Sequence, residues 1–220
     1  MKRISCAGDF QAMFGVSRET LGRLETYAEL LAKWQRTINL VAPNTISDIW
    51  HRHFADSAQL YRLIPAQAGH LVDLGSGGGF PGLVLAALAA GDSSRNTSGR
   101  ALAVALVESD TRKAAFLREA ARQLGIAVDI LSSRIESITN SDSLERVDVI
   151  TSRALAPLPR LFEYVEPIFS SNTVALFLKG RTADAEVEEA RKVWNFAFEL
   201  LPSMTDAEAR IAVIRELEHK

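Results

Sequence analysis

The sequence predicts an α/β fold: a mostly parallel seven-stranded sheet with an antiparallel last strand, preceded by an N-terminal helical extension. Three observations carry this. From His70 onward, short apolar runs alternate with amphipathic stretches, the pattern of strand–helix–strand units with both sheet faces covered. The last two apolar runs, 195–201 and 210–217, leave no room for a helix between them, so they pair antiparallel. Before residue 66 the periodicity is helical. The chain therefore divides into a helical extension, 1–65, and a sheet domain, 66–220.

The elements follow in order. Leu21, Leu24, Tyr27, Leu31, Trp34 and Ile38 recur at steps of three and four, which places one apolar face on a helix over 17–38, with Ser17 as its N-cap. Trp34 is read as core. Asn39 is read either as a C-cap or as a residue at the mouth of a site, and Asp56 as a second residue at that mouth. A further helix is expected over about 48–63, ending before Pro65. His51 and His53 stand two apart and cannot share a helix face, so they are no metal pair, and His53 is expected to brace this unit by hydrogen bonding. Strands are expected at 70–74, 101–107, 126–131, 147–151 and 173–178. Helices are expected near 81–90, 111–124, 158–168 and 183–194. GDSSRNTSGR (91–100) reads as a polar surface loop.

Composition narrows the function. The chain has 220 residues and a net charge of −2, so a uniformly basic nucleic-acid binder is not expected, although a local basic patch is compatible. Cys6 is the only cysteine, which excludes an intrachain disulfide and a cysteine-based zinc site and points to a reducing, cytoplasmic compartment. The longest apolar stretch, 80–90, is far below the ~20 residues of a membrane span, and the first ten residues lack the apolar core of a signal peptide.

The strongest motif is LVDLGSGGGFPG, 71–82: a strand, a glycine-rich turn and a helix starting near Pro81. Two cofactor classes compete for it. Gly77-x-Gly79-x-x-Gly82 formally fits a dinucleotide fingerprint. Asp73-Leu74-Gly75-Ser76-Gly77-Gly78-Gly79 fits the acid-x-Gly-x-Gly-x-Gly turn that binds S-adenosylmethionine. An acid beside a pyrophosphate is repelled, whereas beside a methionine ammonium group it is attracted. Glu108, after the second strand, suits the ribose hydroxyls of either cofactor. The C-terminal hairpin favours the methyl donor, because a reversed last strand is what Rossmann-like class I methyltransferases look like.

The chain closely resembles the bacterial glucose-inhibited division protein B family, over nearly its full length. The resemblance lies in Leu30-Leu31-x-x-Trp34 with Ile38-Asn39-Leu40, in Arg52-His53-Phe54-x-Asp56-Ser57 and in the cofactor turn through Phe80-Pro81-Gly82. It continues in Glu108 with Arg112-Lys113-x-x-Phe116-Leu117, Ser133-Arg134-Ile135-Glu136, Ser152-Arg153-Ala154 and Leu178-Lys179-Gly180. Gln35 stands where the family commonly has Asn, loop 91–100 is long, and the segment LPSMTDAEAR (201–210) between the last two strands is short. The resemblance implies an S-adenosyl-L-methionine-dependent, metal-free enzyme. It would methylate N7 of a single guanine, position 527 in the 530 loop of 16S ribosomal RNA, within the small subunit or its assembly precursor. A cytoplasmic monomer with no membrane association is expected.

By the same resemblance, Gly75 and Phe80 contact the cofactor, Ile135 and Glu136 flank its adenine, and Arg153 sits at the site. The cofactor-binding set is Asp73, Gly75, Ser76, Gly77, Gly79, Phe80, Glu108, Ile135, Glu136 and Arg153. Arg153, Lys179 and Asn39 are the expected catalytic set, with Arg153, Lys179 or Arg134 holding the guanine O6 or a phosphate. N7 carries a free lone pair, so no proton must be removed and no general base is required. Proximity and orientation, worth up to about 7–11 kcal/mol, are expected to supply most of the catalysis.

Overall fold

The computed structural model describes residues 3–97, 101–138, 144 and 146–220. Two helices open the chain. α1 (Ala7–Phe14) is one the periodicity did not single out, and α2 (Arg18–Trp34) begins where expected, the Ser17 hydroxyl accepting from the Thr20 N–H at 3.1 Å. α2 ends four residues early. Gln35 closes it: Oε1 accepts from the Leu40 and Val41 N–H groups, and Nε2 donates to Val41 O and Asn39 Oδ1. The amide that departs from the family pattern is thus the clasp of the 39–41 turn.

The expected helix over 48–63 is there, but irregular. It is π-helical over Trp50–Ala55, α-helical over Asp56–Ala58 (α3), and 3₁₀ over Tyr61–Leu63. Three consecutive residues of the π turn, His53, Phe54 and Ala55, are buried. Such wide turns concentrate at functional sites.

β1 (His70–Leu74), β2 (Ala103–Val107), β3 (Asp129–Leu131), β4 (Val149–Arg153), β5 (Val174–Lys179), β6 (Trp194–Pro202) and β7 (Arg210–His219) form one sheet, ordered β3-β2-β1-β4-β5-β7-β6. All are parallel except β7, which runs antiparallel between β5 and β6. The central strands β1, β4 and β5 are almost wholly buried, as parallel strands covered on both faces must be. Their connections are α4 (Gly82–Ala90), α5 (Ser93–Thr97), α6 (Thr111–Leu124), α7 (Ile135–Ile138), α8 (Leu158–Val165) and α9 (Ala183–Ala190). α6 matches its expected span because both ends are written locally. Asp110 accepts from the Arg112 and Lys113 N–H groups, and Gly125 ends the helix left-handed.

α4 is apolar all round because it is covered on all sides, by the sheet and by α2, α3 and α6. Residues of the extension (Phe10, Leu24, Tyr27, Leu31, Phe54) belong to one buried cluster with Leu71, Leu83 and Phe116 of the sheet domain. A second cluster, with Ile150, Phe162, Phe177 and Ile214, fills the opposite face. Trp34 packs edge-on against Phe116, with ring centroids 5.6 Å apart, as part of the first.

The expected polar surface loop at 91–100 needs correction where it is described. Residues 93–97 form α5, and Arg95 is buried, donating to the carbonyls of Ile64, Pro65 and Ala68. Residues 98–100 of that loop lie outside the described residues. The sheet order reverses between β1 and β4, so a crevice opens at their carboxyl ends. Every candidate site residue except Asn39 and Asp56 comes from the sheet domain, and most lie around that crevice.

Candidate functional site

The glycine turn follows β1 and is held from beneath. Ser76 N–H donates to Val107 O (3.0 Å) and its hydroxyl to Asp73 O (3.1 Å), tying the turn to β2 and to β1. Asp73 is fully buried under the turn. Its Oδ1 accepts from the Thr151 hydroxyl (2.7 Å) and its Oδ2 from the Gly82 N–H (3.2 Å) at the start of α4. Burial raises its pKa to about 6 despite these bonds. The carboxylate therefore anchors the turn to β4 and α4 and lines neither cavity described below.

The extension grips the turn from above. The Tyr27 hydroxyl donates to Gly78 O, and burial pushes that phenol well above its ordinary range. The Tyr27 ring stacks on Phe80 at 5.3 Å, and Phe54 meets Phe80 edge-on at 5.5 Å. Gly79 (φ +93°) has no room for a side chain, since a Cβ there would collide with the Tyr27 hydroxyl and Leu83. Gly77 (φ +56°) is the opposite case, because a Cβ there would meet nothing closer than 3.8 Å. One glycine is required by packing; at the other a Cβ would make only ordinary contacts.

Two cavities meet at this turn, sharing Gly75, Gly77, Arg153, Ala154 and Leu155. The smaller, about 350 Å³, is lined by Val107, Glu108, Ile135, Glu136 and Arg134 among others. Glu108 is buried, and its two oxygens each accept one backbone N–H, from Gly77 (2.8 Å) and from Asp110 (2.8 Å). A carboxylate has about four lone-pair sites, so each oxygen retains capacity. Glu136 is half-exposed and stands 3.7 Å from Arg160. The larger cavity, about 660 Å³, is lined by Ser76, Phe80, Lys179, the π turn and the β6–β7 connection.

Arg153 divides the two. Its Nη1 donates to Arg52 O (3.1 Å), lies 3.6 Å from Asp56 Oδ2, and its guanidinium covers the Phe80 ring at 5.1 Å. Burial lowers its pKa, partly offset by Asp56. Ala154 follows at φ +53°, a left-handed conformation rare for a residue with a Cβ, and it lines both cavities.

The other expected catalytic residues stand differently. Lys179 lines the larger cavity but is almost wholly buried, its Nζ 2.6 Å from Glu186 and 2.8 Å from Ala156 O. It braces the wall. Asn39 is exposed, paired with Gln35, and lines neither cavity; its neighbour Leu40 does. Asp56 lines the larger cavity, as expected of a mouth residue. His53 does brace its unit, its Nε2 2.6 Å from the Thr45 hydroxyl.

Sequence reasoning missed the β6–β7 connection, residues 203–209. His51 donates to Thr205 O (3.0 Å), Arg52 pairs with Asp206 (3.2 Å), and Asp56 accepts from the Thr205 hydroxyl (2.6 Å). Gln59 donates to the Ser203 hydroxyl (3.1 Å) and accepts from the Met204 N–H (2.8 Å). Ser203, Thr205, Asp206 and Ala209 thereby become a cavity wall. No spacing in the sequence announces this; only the polar character of 203–206 hinted at it.

The residues suit an adenosine-type methyl donor. Gly77 lines the smaller cavity without a side chain, Glu108 presents acceptors at the end of β2, and Ile135 offers an apolar face. Among the described residues no cluster could hold a metal ion, and no helix is long and apolar enough to cross a membrane. Comparison with known proteins then decides the family. The model of the GidB family, rRNA small subunit methyltransferase G, matches residues 20–212. The chain belongs to this family.

Its relatives agree. A ribosomal RNA small subunit methyltransferase G of Paramagnetospirillum magneticum is 48% identical over 203 residues, covering 92% of each chain. That of Parvibaculum lavamentivorans is 46% identical over 208 residues, covering 94% of this chain and 88% of the relative. Solved structures are similar in fold. A mutant of MtNAS in complex with S-adenosylmethionine aligns with TM-score 0.53 at 16% identity, over 96% of this chain and 77% of that one. A Corynebacterium glutamicum protein aligns with TM-score 0.56 at 13% identity, over 88% and 91%. The fold is that of class I methyltransferases, as the C-terminal hairpin predicted.

Proposed function

We propose that this chain transfers the methyl group of S-adenosylmethionine to N7 of a guanine in 16S ribosomal RNA. The substrate is the small subunit or an assembly precursor, and the reaction takes place in the cytoplasm. The observation that carries the reading is the pair of cavities meeting at Gly75–Gly77, with one cation, Arg153, bordering both. The smaller suits an adenosine, the larger a base taken out of its stack.

Bound there, the cofactor supplies an electrophilic methyl on a sulfonium centre. Glu108 accepts from the ribose hydroxyls with the lone pairs that the Gly77 and Asp110 N–H groups leave, and Ile135 packs against the adenine. Gly75 and Gly77 present backbone where a side chain would obstruct, and the Ser76 hydroxyl is turned back to Asp73 O. Arg153 donates to the guanine O6 or a flanking phosphate, held in place by Phe80, Arg52 O and Asp56. N7 needs no deprotonation, so orientation carries the rate.

Small subunits from cells lacking the protein should accept labelled methyl, and already modified subunits should not; mass mapping should place the label on one guanine. Calorimetric titration should show micromolar binding of S-adenosylhomocysteine and none of NAD, and Gly77→Val should abolish the former. Identical guanine modification with and without the gene would sink the ribosomal reading. NAD binding without S-adenosylhomocysteine binding would sink the cofactor.

A further inference from the structure

Transfer to N7 does not in itself distinguish guanine from adenine, because both purines carry that lone pair. They differ on the six-membered ring. Guanine presents N1–H and N2–H donors beside an O6 acceptor; adenine presents an N1 acceptor beside an N6 donor. A guanine-selective site needs two acceptors and a donor facing that edge.

Residues that carry two acceptors and a donor line the larger cavity. His53 and Asp56 are three residues apart on the π turn and its continuation, and both line it. His53 Nδ1 is buried without a partner, one of two such side-chain atoms among the described residues; the other, Ser57 Oγ, does not line the cavity. The Thr45 hydroxyl gives its proton to Ala42 O (2.6 Å), so His53 Nε2 carries the ring hydrogen toward Thr45 Oγ1. Nδ1 is then a bare lone pair, an acceptor. Burial, with Arg153 and Arg52 nearby, lowers the imidazole pKa to about 3, which keeps the acceptor unprotonated. Asp56 Oδ1 is taken by the Thr205 hydroxyl (2.6 Å) and Gln59 Nε2 (3.0 Å). Its Oδ2 is ion-paired with Arg153 Nη1 at 3.6 Å and, as a carboxylate oxygen, keeps lone-pair capacity for a further donor.

We infer that His53 Nδ1 and Asp56 Oδ2 accept from the N1–H and N2–H groups of the target guanine, beside Arg153 as donor to O6, and that this set excludes adenine. Adenine would set its N1 lone pair against the imidazole lone pair and the carboxylate, a repulsive arrangement as well as a lost bond. The inference rests on the methyl-transfer reading above.

The test uses small subunits reconstituted with 16S RNA carrying guanosine or adenosine at the target. Initial rates of labelled methyl incorporation are compared for the wild type, Asp56→Asn and His53→Phe. The phenyl ring keeps the packing on Phe80, and the amide keeps the size of the carboxylate. The guanosine-to-adenosine rate ratio should fall by roughly 10- to 100-fold in each variant, the cost of one lost base-edge contact. Binding of S-adenosylhomocysteine, measured by calorimetry, should stay within about twofold and reports that each variant is folded. A wild-type ratio in both folded variants, with rates on the two subunits lowered equally, would overturn the inference and leave the residues a bracing role. Loss of S-adenosylhomocysteine binding in both variants would overturn it too, because the pair would then be needed for the fold rather than the base. No transfer by the wild type into either subunit would overturn the methyl-transfer reading, and this inference with it.

Discussion

The two cavities that meet at the glycine turn are built in opposite ways. The smaller takes its wall from the ends of β1, β2 and β4, the start of α7 and Tyr164 of α8. Its central acid, Glu108, is held by backbone N–H groups 2 and 31 residues away. The larger joins the π turn, the end of β4 and the β6–β7 connection. The bonds that close it span 101 residues for Arg153 to Arg52 O and 154 for His51 to Thr205 O. The first half is a property of local motifs. The second exists only when the extension and the hairpin have docked on the sheet.

The sharpest way to break this division is at the joint the halves share. Gly79→Ala would place a Cβ against the Tyr27 hydroxyl and Leu83 in a left-handed conformation. A loss of about 3 kcal/mol or more in denaturant unfolding is expected, from strain and overpacking together. Arg153→Ala comes next. Transfer should fall about 100-fold, or ~2.7 kcal/mol, while the protein stays folded and still binds S-adenosylhomocysteine. Gln59→Leu should act on the larger half alone. Freed from Ser203 and Met204, the wall should loosen, raising KM for small subunits and lowering stability by about 1–2 kcal/mol. Cofactor affinity should hold; a matching loss of cofactor affinity would mean that the halves are not independent.

At neutral pH the effect that vanishes altogether is acid sensitivity. His53 has a folded pKa of about 3 against an ordinary 6.5, so the unfolded chain binds the extra proton in that window. Its contribution is intact above pH 6.5 and is lost as pH falls toward 3, by at most about 1.4 kcal/mol per pH unit. Asp73, raised to about 6, acts in the opposite sense between 3.8 and 6, where the folded state binds the proton. The His53 loss is therefore partly opposed by Asp73 from pH 6.5 down to 3.8 and unopposed from 3.8 to 3, where the fall is steepest; His53→Phe should flatten it in pH-dependent melting.

The same division explains what could be read from the sequence. α6 was legible to the residue because Asp110 and Gly125 write its ends locally. β1 and the glycine turn were legible because their chemistry needs particular residues at fixed spacing. The 48–63 helix was legible as a helix but not as a π turn, since its width is set by packing His53, Phe54 and Ala55 inward together. Asp73 was expected beside the cofactor, yet it works under the turn; spacing places a residue but does not aim its side chain. Lys179 was legible as a cation near a strand end, while its neutralising partner Glu186 comes from α9. The 203–209 wall depends wholly on contacts with the extension, and no local pattern encodes such contacts.

The position of β7 has a consequence for how the molecule is assembled. The last strand in the chain is not at the sheet's edge but second from it, and among the described strands it is the one β6 pairs with. During synthesis, β1 to β5 can form their sheet as each strand–helix unit emerges, whereas β6 must wait for the strand that follows it. Truncation before Arg210 would therefore remove an interior strand, strand β6, and leave β5 as an open edge. It would also release residues 203–209 from the end that returns them to the sheet, so the chain would acquire the smaller cavity before the larger. Nascent chains arrested before and after β7 should differ accordingly: the shorter should be protected from proteolysis around the glycine turn, and only the longer across 194–209.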